Sequence, residues 1–166
     1  MLFRSKLKYL IRNLKIQNNA LIKTTFEDEA IGDIFGEQAV LCGGLTQLIK
    51  FGFDTLVESG LSSDKAYLEV AYQLDLIVDL IKKYGIEGMY QRISVAAKYG
   101  SYLSGRKIID NSVKKRMKET LRDIKSGTFA KKLNALNSDK IKKLNKDLKK
   151  MTSEPFEKSV KKISKK

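Results

Sequence analysis

The chain has 166 residues, with 33 Lys and Arg against 19 Asp and Glu, one cysteine and no histidine. That length suits one domain of ordinary size with room for a hydrophobic core. Cys42 cannot form an internal disulfide, and without histidine both the usual zinc sites and the Ser/His/Asp or Cys/His triads are excluded. No run of about 18 apolar residues appears, so no transmembrane segment is expected.

The net charge of +14 looks like a nucleic-acid signature until it is divided along the chain. Residues 1–26 carry six basic and no acidic side chains, residues 27–110 eight basic and thirteen acidic, and residues 111–166 nineteen basic and six acidic. The middle is therefore acidic, which suits cation binding, and the positive charge lies at the two ends.

One proline, scattered glycines and little β-branched alternation argue for an all-α domain. In residues 2–16, Phe3, Leu7, Leu10 and Leu14 form one apolar stripe, which predicts an amphipathic helix. A long helix is expected from Gly32 or Asp33 to Glu58, with Gly60 as its C-terminal stop. Ser62 or Ser63 then caps a third helix running to about Lys83 and stopped by Gly85, its stripe of Leu68, Tyr72, Leu76, Val78 and Ile81 turned to a core. Shorter pieces follow between Ile86 and Gly105, then a helix from about Lys107 to Ser126 ending at Gly127. Ile141, Leu144, Leu148 and Met151 recur at helical spacing, so the basic tail is an amphipathic helix, and Pro155 opens its last turn or a further short helix.

Chemistry concentrates in DIFGEQAVLCGG, residues 33–44. Asp33 and Glu37 stand four apart in a helical period, so both carboxylates project from one face. Such a pair is ordinarily a solvated helix face; as a site, its hard oxygen donors would favour magnesium or manganese. Gly43 and Gly44 lie in no dinucleotide or P-loop pattern and read as close helix packing, and Cys42 as a small core residue.

DIFGEQAVLCGG with the following LTQLIKFGFDTLVESG resembles the opening of the C-terminal knotted domain of ketol-acid reductoisomerase (acetohydroxyacid isomeroreductase), in its short form with one knotted domain per chain. The resemblance continues through AYLEV at 66–70, LDLIVDLIKKYGIEGM at 74–89, ISVAAKYGSYLSG at 93–105, SGTFAKKL at 126–133 and EPFEKSVKKI at 154–163, with LIKTTF at 21–26 similar to the family's interdomain linker. It implies a knotted, intertwined all-α domain over residues 27–166, without the Rossmann domain, and a basic helix and linker over residues 1–26.

The family isomerises and reduces 2-acetolactate or 2-aceto-2-hydroxybutyrate in valine and isoleucine synthesis, using magnesium and NADPH. By resemblance Asp33 bridges two magnesium ions, Glu37 binds the first, Glu69 faces the second, and Ser94 hydrogen-bonds the substrate carboxylate; Asp33, Glu37 and Glu69 are the implied metal-binding and catalytic residues. The sequence departs from the pattern at Gln73, where a second acid is usual, and at Val95, Ala96 and Lys98. Glutamine keeps an acceptor oxygen but not the charge, so the second ion is expected to bind weakly or not at all.

No glycine-rich turn of the dinucleotide type precedes the motif, since the first glycine is Gly32, so NADPH is expected only through a separate nucleotide domain, without which the isolated chain is inactive. Residues 1–20 read either as the last helix of that domain or as a basic targeting or membrane-surface helix. The expected location is accordingly the cytoplasm, or an organelle if that helix is a transit segment. The expected partners are a second copy, which sets Asp33 and Glu37 of one subunit opposite Glu69 and Ser94 of the other, and possibly a separately encoded Rossmann domain. Alternatives are an inactive helical dimerisation module or remnant of the enzyme, and a nucleic-acid binder through the lysine-rich tail. Against the last, the tail has few arginines and only Phe156 as an aromatic beyond residue 130.

Overall fold

Thr25 opens the first helix: its hydroxyl oxygen accepts the Asp28 N–H at 3.0 Å, and Glu27, Asp28 and Glu29 place negative charge in the first turn, where the helix dipole favours it. The computed structural model describes residues 22–164, all helical apart from short connections, so the amphipathic run at residues 2–16 lies outside them. Helix α1 spans Phe26–Gly36, beginning before the expected Gly32 because this cap and its acids lie further upstream than the apolar stripe. It passes without a break in direction through a π-helical turn, Glu37–Leu41, into α2, Gly43–Glu58. Gly60, at φ 97°, ends the run as expected, its N–H donating to Val57 O.

The π turn explains the glycine pair, and the expectation of close helix packing is corrected. Widening the helix brings the Cys42 N–H to Glu37 O at 2.9 Å and drives the Gln38 and Ala39 carbonyl oxygens into the space that a Cβ on Gly43 or Gly44 would occupy. Gly43→Ala is therefore expected to cost about 1–3 kcal/mol as the turn shifts to admit the methyl group, measured by urea unfolding; wild-type stability in that variant would mean the turn is not rigid. Cys42 is likewise exposed rather than buried.

Helix α3, Ser63–Tyr67, follows Ser62, whose side chain makes no capping hydrogen bond, and runs into a second π turn, Leu68–Tyr72. Gln73, at φ −86° and ψ 1°, leaves helical geometry before α4, Leu74–Tyr90, begins. The expected single helix to Lys83 is thus two elements, and its stripe is not one buried face: Tyr72 is 47% and Leu76 61% exposed. Gly85, at φ 71° and ψ 179°, stops the first part of α4 as expected, and a second helical segment follows it to Tyr90. After Ile86 the expected short piece runs to Tyr90, and the remainder is one longer helix, α5, Val95–Ile108. Asp110 caps α6, Asn111–Lys125, by accepting the Ser112 N–H, and Gly127 in the left-handed region leads to α7, Thr128–Asn134. The tail forms α8, Ser138–Met151, and α9, Glu154–Ile163, with Pro155 in the first turn of α9.

What packs is concentrated where α2, α3 and α9 meet. Phe53, Ala66 and Tyr67 are buried there against Leu56, Val70, Phe156, Val160 and Ile163. The Phe156 ring meets Phe53 and Tyr67 edge-on, at centroid distances of 5.1 and 5.4 Å. A polar clasp joins α9 to α3: the buried Ser159 hydroxyl donates to Asp64 Oδ1 at 2.8 Å, Lys162 pairs with the same carboxylate, and the Tyr67 hydroxyl lies 3.0 Å from Ser164 Oγ. Lys162 and then Ser159 hold the Asp64 carboxyl below the usual aspartate range.

Elsewhere the chain is open. It exposes 14248 Å², where a compact monomer of its 18.8 kDa would expose about 8,300 Å². Phe26–Glu58, joined by the π turn into one 33-residue helix, is apolar enough by length and composition alone to cross a bilayer, with 6% of its most apolar stretch buried in this chain. The sequence, scanned for an uninterrupted apolar run, does not reveal that. Ile141, Leu144, Leu148 and Met151 on α8 are also about half exposed.

Candidate metal and substrate site

Asp33 and Glu37 lie one helical turn apart on one face, because the Glu37 N–H still donates to Asp33 O before the π turn opens. Both side chains are exposed, and among the described residues neither has an ion-pair partner. Glu69 sits in the second π turn, also exposed, and its Oε2 accepts from Gln73 Nε2 at 3.2 Å. Each candidate pair is therefore attached to a π turn, a local distortion that occurs often at functional sites. The sequence carried a trace of the first in Gly43-Gly44 and none that is recognisable of the second.

One chain does not bring the two pairs together. α2 crosses the Glu69 turn at Gly52, where an added Cβ would lie 3.3 Å from Val70 Cγ1. At about 1.5 Å rise per residue, Glu37 lies roughly 22 Å and Asp33 roughly 28 Å up the helix from that crossing. Accordingly, no cluster of three or more Asp, Glu, Cys or His side chains forms among the described residues. The helix carrying Asp33 and Glu37 does pack against the segment carrying Glu69, but through its far half.

Ser94 caps α5, its Oγ accepting the Ala97 N–H at 3.1 Å, as a lone serine before a helix would. Capping leaves the hydroxyl proton free to donate elsewhere. Beside Glu37, the Gln38 side-chain amide nitrogen is buried with no hydrogen-bond partner among the described residues. As a donor it does not serve a cation; it suits a carboxylate or carbonyl oxygen. Nothing in the sequence singles it out, since only burial distinguishes it from any surface glutamine. Cys42 lines an apolar groove of about 460 Å³ with Ile49 and Phe53 of α2 and Leu148, Met151 and Phe156 of the tail.

Residues 26–166 match the family model described as ketol-acid reductoisomerase, C-terminal domain. The chain belongs to that family. The ketol-acid reductoisomerase (NADP(+)) of Mycobacterium avium is 55% identical over 113 residues, 68% of this chain and 34% of the relative. That of Mycolicibacterium vanbaalenii is 47% identical over 143 residues, 86% of this chain and 42% of the relative. A solved NADH-preferring ketol-acid reductoisomerase from an uncultured archean superimposes with a TM-score of 0.81 at 40% identity, covering 87% of this chain and 44% of that one. The chain thus spans less than half the length of these reductoisomerases, and its all-α fold is that of their C-terminal domain.

The donor set fits a hard divalent cation at Asp33 and Glu37: two exposed carboxylates on one helix face, free of competing lysines. It fits a second ion poorly, because Glu69 has a neutral amide for a neighbour and shares one oxygen with it.

Proposed function

We propose that this chain is the metal- and substrate-binding half of a ketol-acid reductoisomerase acting on 2-acetolactate or 2-aceto-2-hydroxybutyrate in branched-chain amino-acid synthesis. The observation that carries this reading is the pair Asp33 and Glu37 on one exposed face at the mouth of a π turn, within a segment matching the reductoisomerase family model. Asp33 and Glu37 hold magnesium, and Glu69 approaches from a second copy. That arrangement is supported by the separation of the pairs along one chain and by the large area each copy leaves uncovered. Magnesium, when bound, polarises the substrate's carbonyl and hydroxyl oxygens as a Lewis acid while an alkyl group migrates between adjacent carbons.

The chain's other residues orient the substrate. Ser94 donates its hydroxyl proton to the substrate carboxylate while α5 holds the oxygen through the Ala97 N–H. NADPH supplies the hydride from a nucleotide-binding domain, which the helices described in this chain do not form. Residues 1–26 then serve as the connection to that domain, and residues 27–166 as the intertwined half of a homodimer.

Calorimetric titration with magnesium, with and without 2-hydroxyisobutyrate as a hydroxy-acid probe, tests the reading: one binding event is expected, strengthened by the probe. Gln73→Glu should add a second event, because it replaces the amide beside Glu69 with a charge. A Gln73→Glu titration identical to wild type would clear Gln73 of limiting the second ion. No magnesium binding in either protein would favour the other reading, a helical dimerisation module without catalytic metal. The Gln73 to Glu69 hydrogen bond and the apolar Val95 and Ala96 point toward that alternative.

A further inference from the structure

We propose that Arg92 is a positioning residue for Ser94, fastening the loop between α4 and α5 so that the serine hydroxyl keeps its direction; this rests on the reading of Ser94 as the substrate-carboxylate donor. Gly85, at φ 71° and ψ 179°, turns the chain where other side chains are strained, and the last part of α4 folds back beneath Tyr84. The approach is close: a Cβ on Gly88 would lie 2.5 Å from Tyr84 Cβ, and Gly88 and Met89 are buried. Arg92 closes the fold from the other side. Its guanidinium lies over the Tyr84 ring, 3.7 Å from the centroid, and Nη1 donates to Gly88 O at 2.9 Å.

The backbone is tied at the same place. The Arg92 N–H donates to Met89 O at 2.9 Å and the Gln91 N–H to Glu87 O at 3.1 Å. Only Ile93 separates this anchor from Ser94, which leaves with extended geometry, φ −63° and ψ 157°, to cap α5. A hydroxyl that already accepts one hydrogen bond can aim its proton only as well as its own Cα is held. A lysine at position 92 would keep the charge but lose the planar stack and the directed donor, whereas phenylalanine at position 84 would keep the stack.

The test uses the full chain and its Arg92→Ala, Arg92→Lys, Tyr84→Phe and Ser94→Ala variants. Amide hydrogen exchange is read at Ala97 and Lys98, whose N–H groups are held by Ser94 Oγ and Ser94 O. Affinity for 2-hydroxyisobutyrate is measured at saturating magnesium. Arg92→Ala should speed exchange at both amides and weaken the probe about tenfold, the scale of losing a residue that orients a ligand-contacting group. Magnesium affinity without the probe should stay at wild type, Arg92→Lys should not restore the probe, and Tyr84→Phe should behave as wild type. Wild-type exchange and wild-type probe affinity in Arg92→Ala would overturn the inference. If Ser94→Ala weakens the probe while Arg92→Ala does not, the inference fails and the role of Ser94 stands; if Ser94→Ala itself binds the probe normally, the reading of Ser94 falls and this inference with it.

Discussion

Asp33→Asn is expected to abolish magnesium binding while leaving the helix intact. The substitution keeps size and one acceptor oxygen but removes one of the two charges on the exposed face, and magnesium, which dehydrates reluctantly, needs that charge to exchange water for protein oxygen. Asp33 lies outside the Phe53 core, so unfolding should move little in comparison. Far-ultraviolet circular dichroism and urea unfolding near wild type, with a flat calorimetric trace, would fit the proposal. Equal magnesium affinity in wild type and variant would remove the site and leave the pair as a solvated helix face.

Phe53→Ala carries the largest expected loss of stability, about 3–5 kcal/mol, the usual cost of emptying a buried aromatic position. Phe53 is 2% exposed and forms with Phe156 and Tyr67 an edge-on aromatic cluster joining α2, α9 and α3. Few other buried side chains exist to absorb the loss: beyond this cluster and the adjoining Ala66, only Met89 and Ile124 are comparably buried apolar residues among those described. Undocking of α9 should accompany the loss, seen as faster proteolysis between Met151 and Glu154. On the proposed homodimer the unfolding midpoint should also depend on protein concentration, and the comparison belongs at matched concentrations. A change below about 0.5 kcal/mol, the scale of ordinary surface substitutions, would mean that the three-helix junction is not the cooperative core.

Much of this molecule is written in short-range pattern. Apolar periodicity and the charge division along the chain were enough for an all-α domain, and the spacing of Asp33 and Glu37 was enough to place both on one face. Gly60 and Gly127 could be placed as helix stops because a left-handed residue after a helix is a local demand that glycine meets. The family was legible for the same reason: DIFGEQAVLCGG and the segments after it are contiguous strings that can be matched without knowing what they touch.

Only the tertiary structure decided the rest. The π turns at Glu37–Leu41 and Leu68–Tyr72 depend on one extra residue per turn, which periodicity averages away. They give Gly43 and Gly44 a different reason from helix packing. The Asp64, Ser159 and Lys162 clasp and the Arg92 stack on Tyr84 depend on which surfaces meet, and the clasp joins residues some 95 positions apart in sequence. The stripe from Leu68 to Ile81 has the composition of a core face, yet much of it is exposed, because helical geometry breaks at Gln73 and no element among the described residues covers it. An apolar stripe specifies that a surface will be buried; whether its own chain or a second one covers it is settled by how the helices pack.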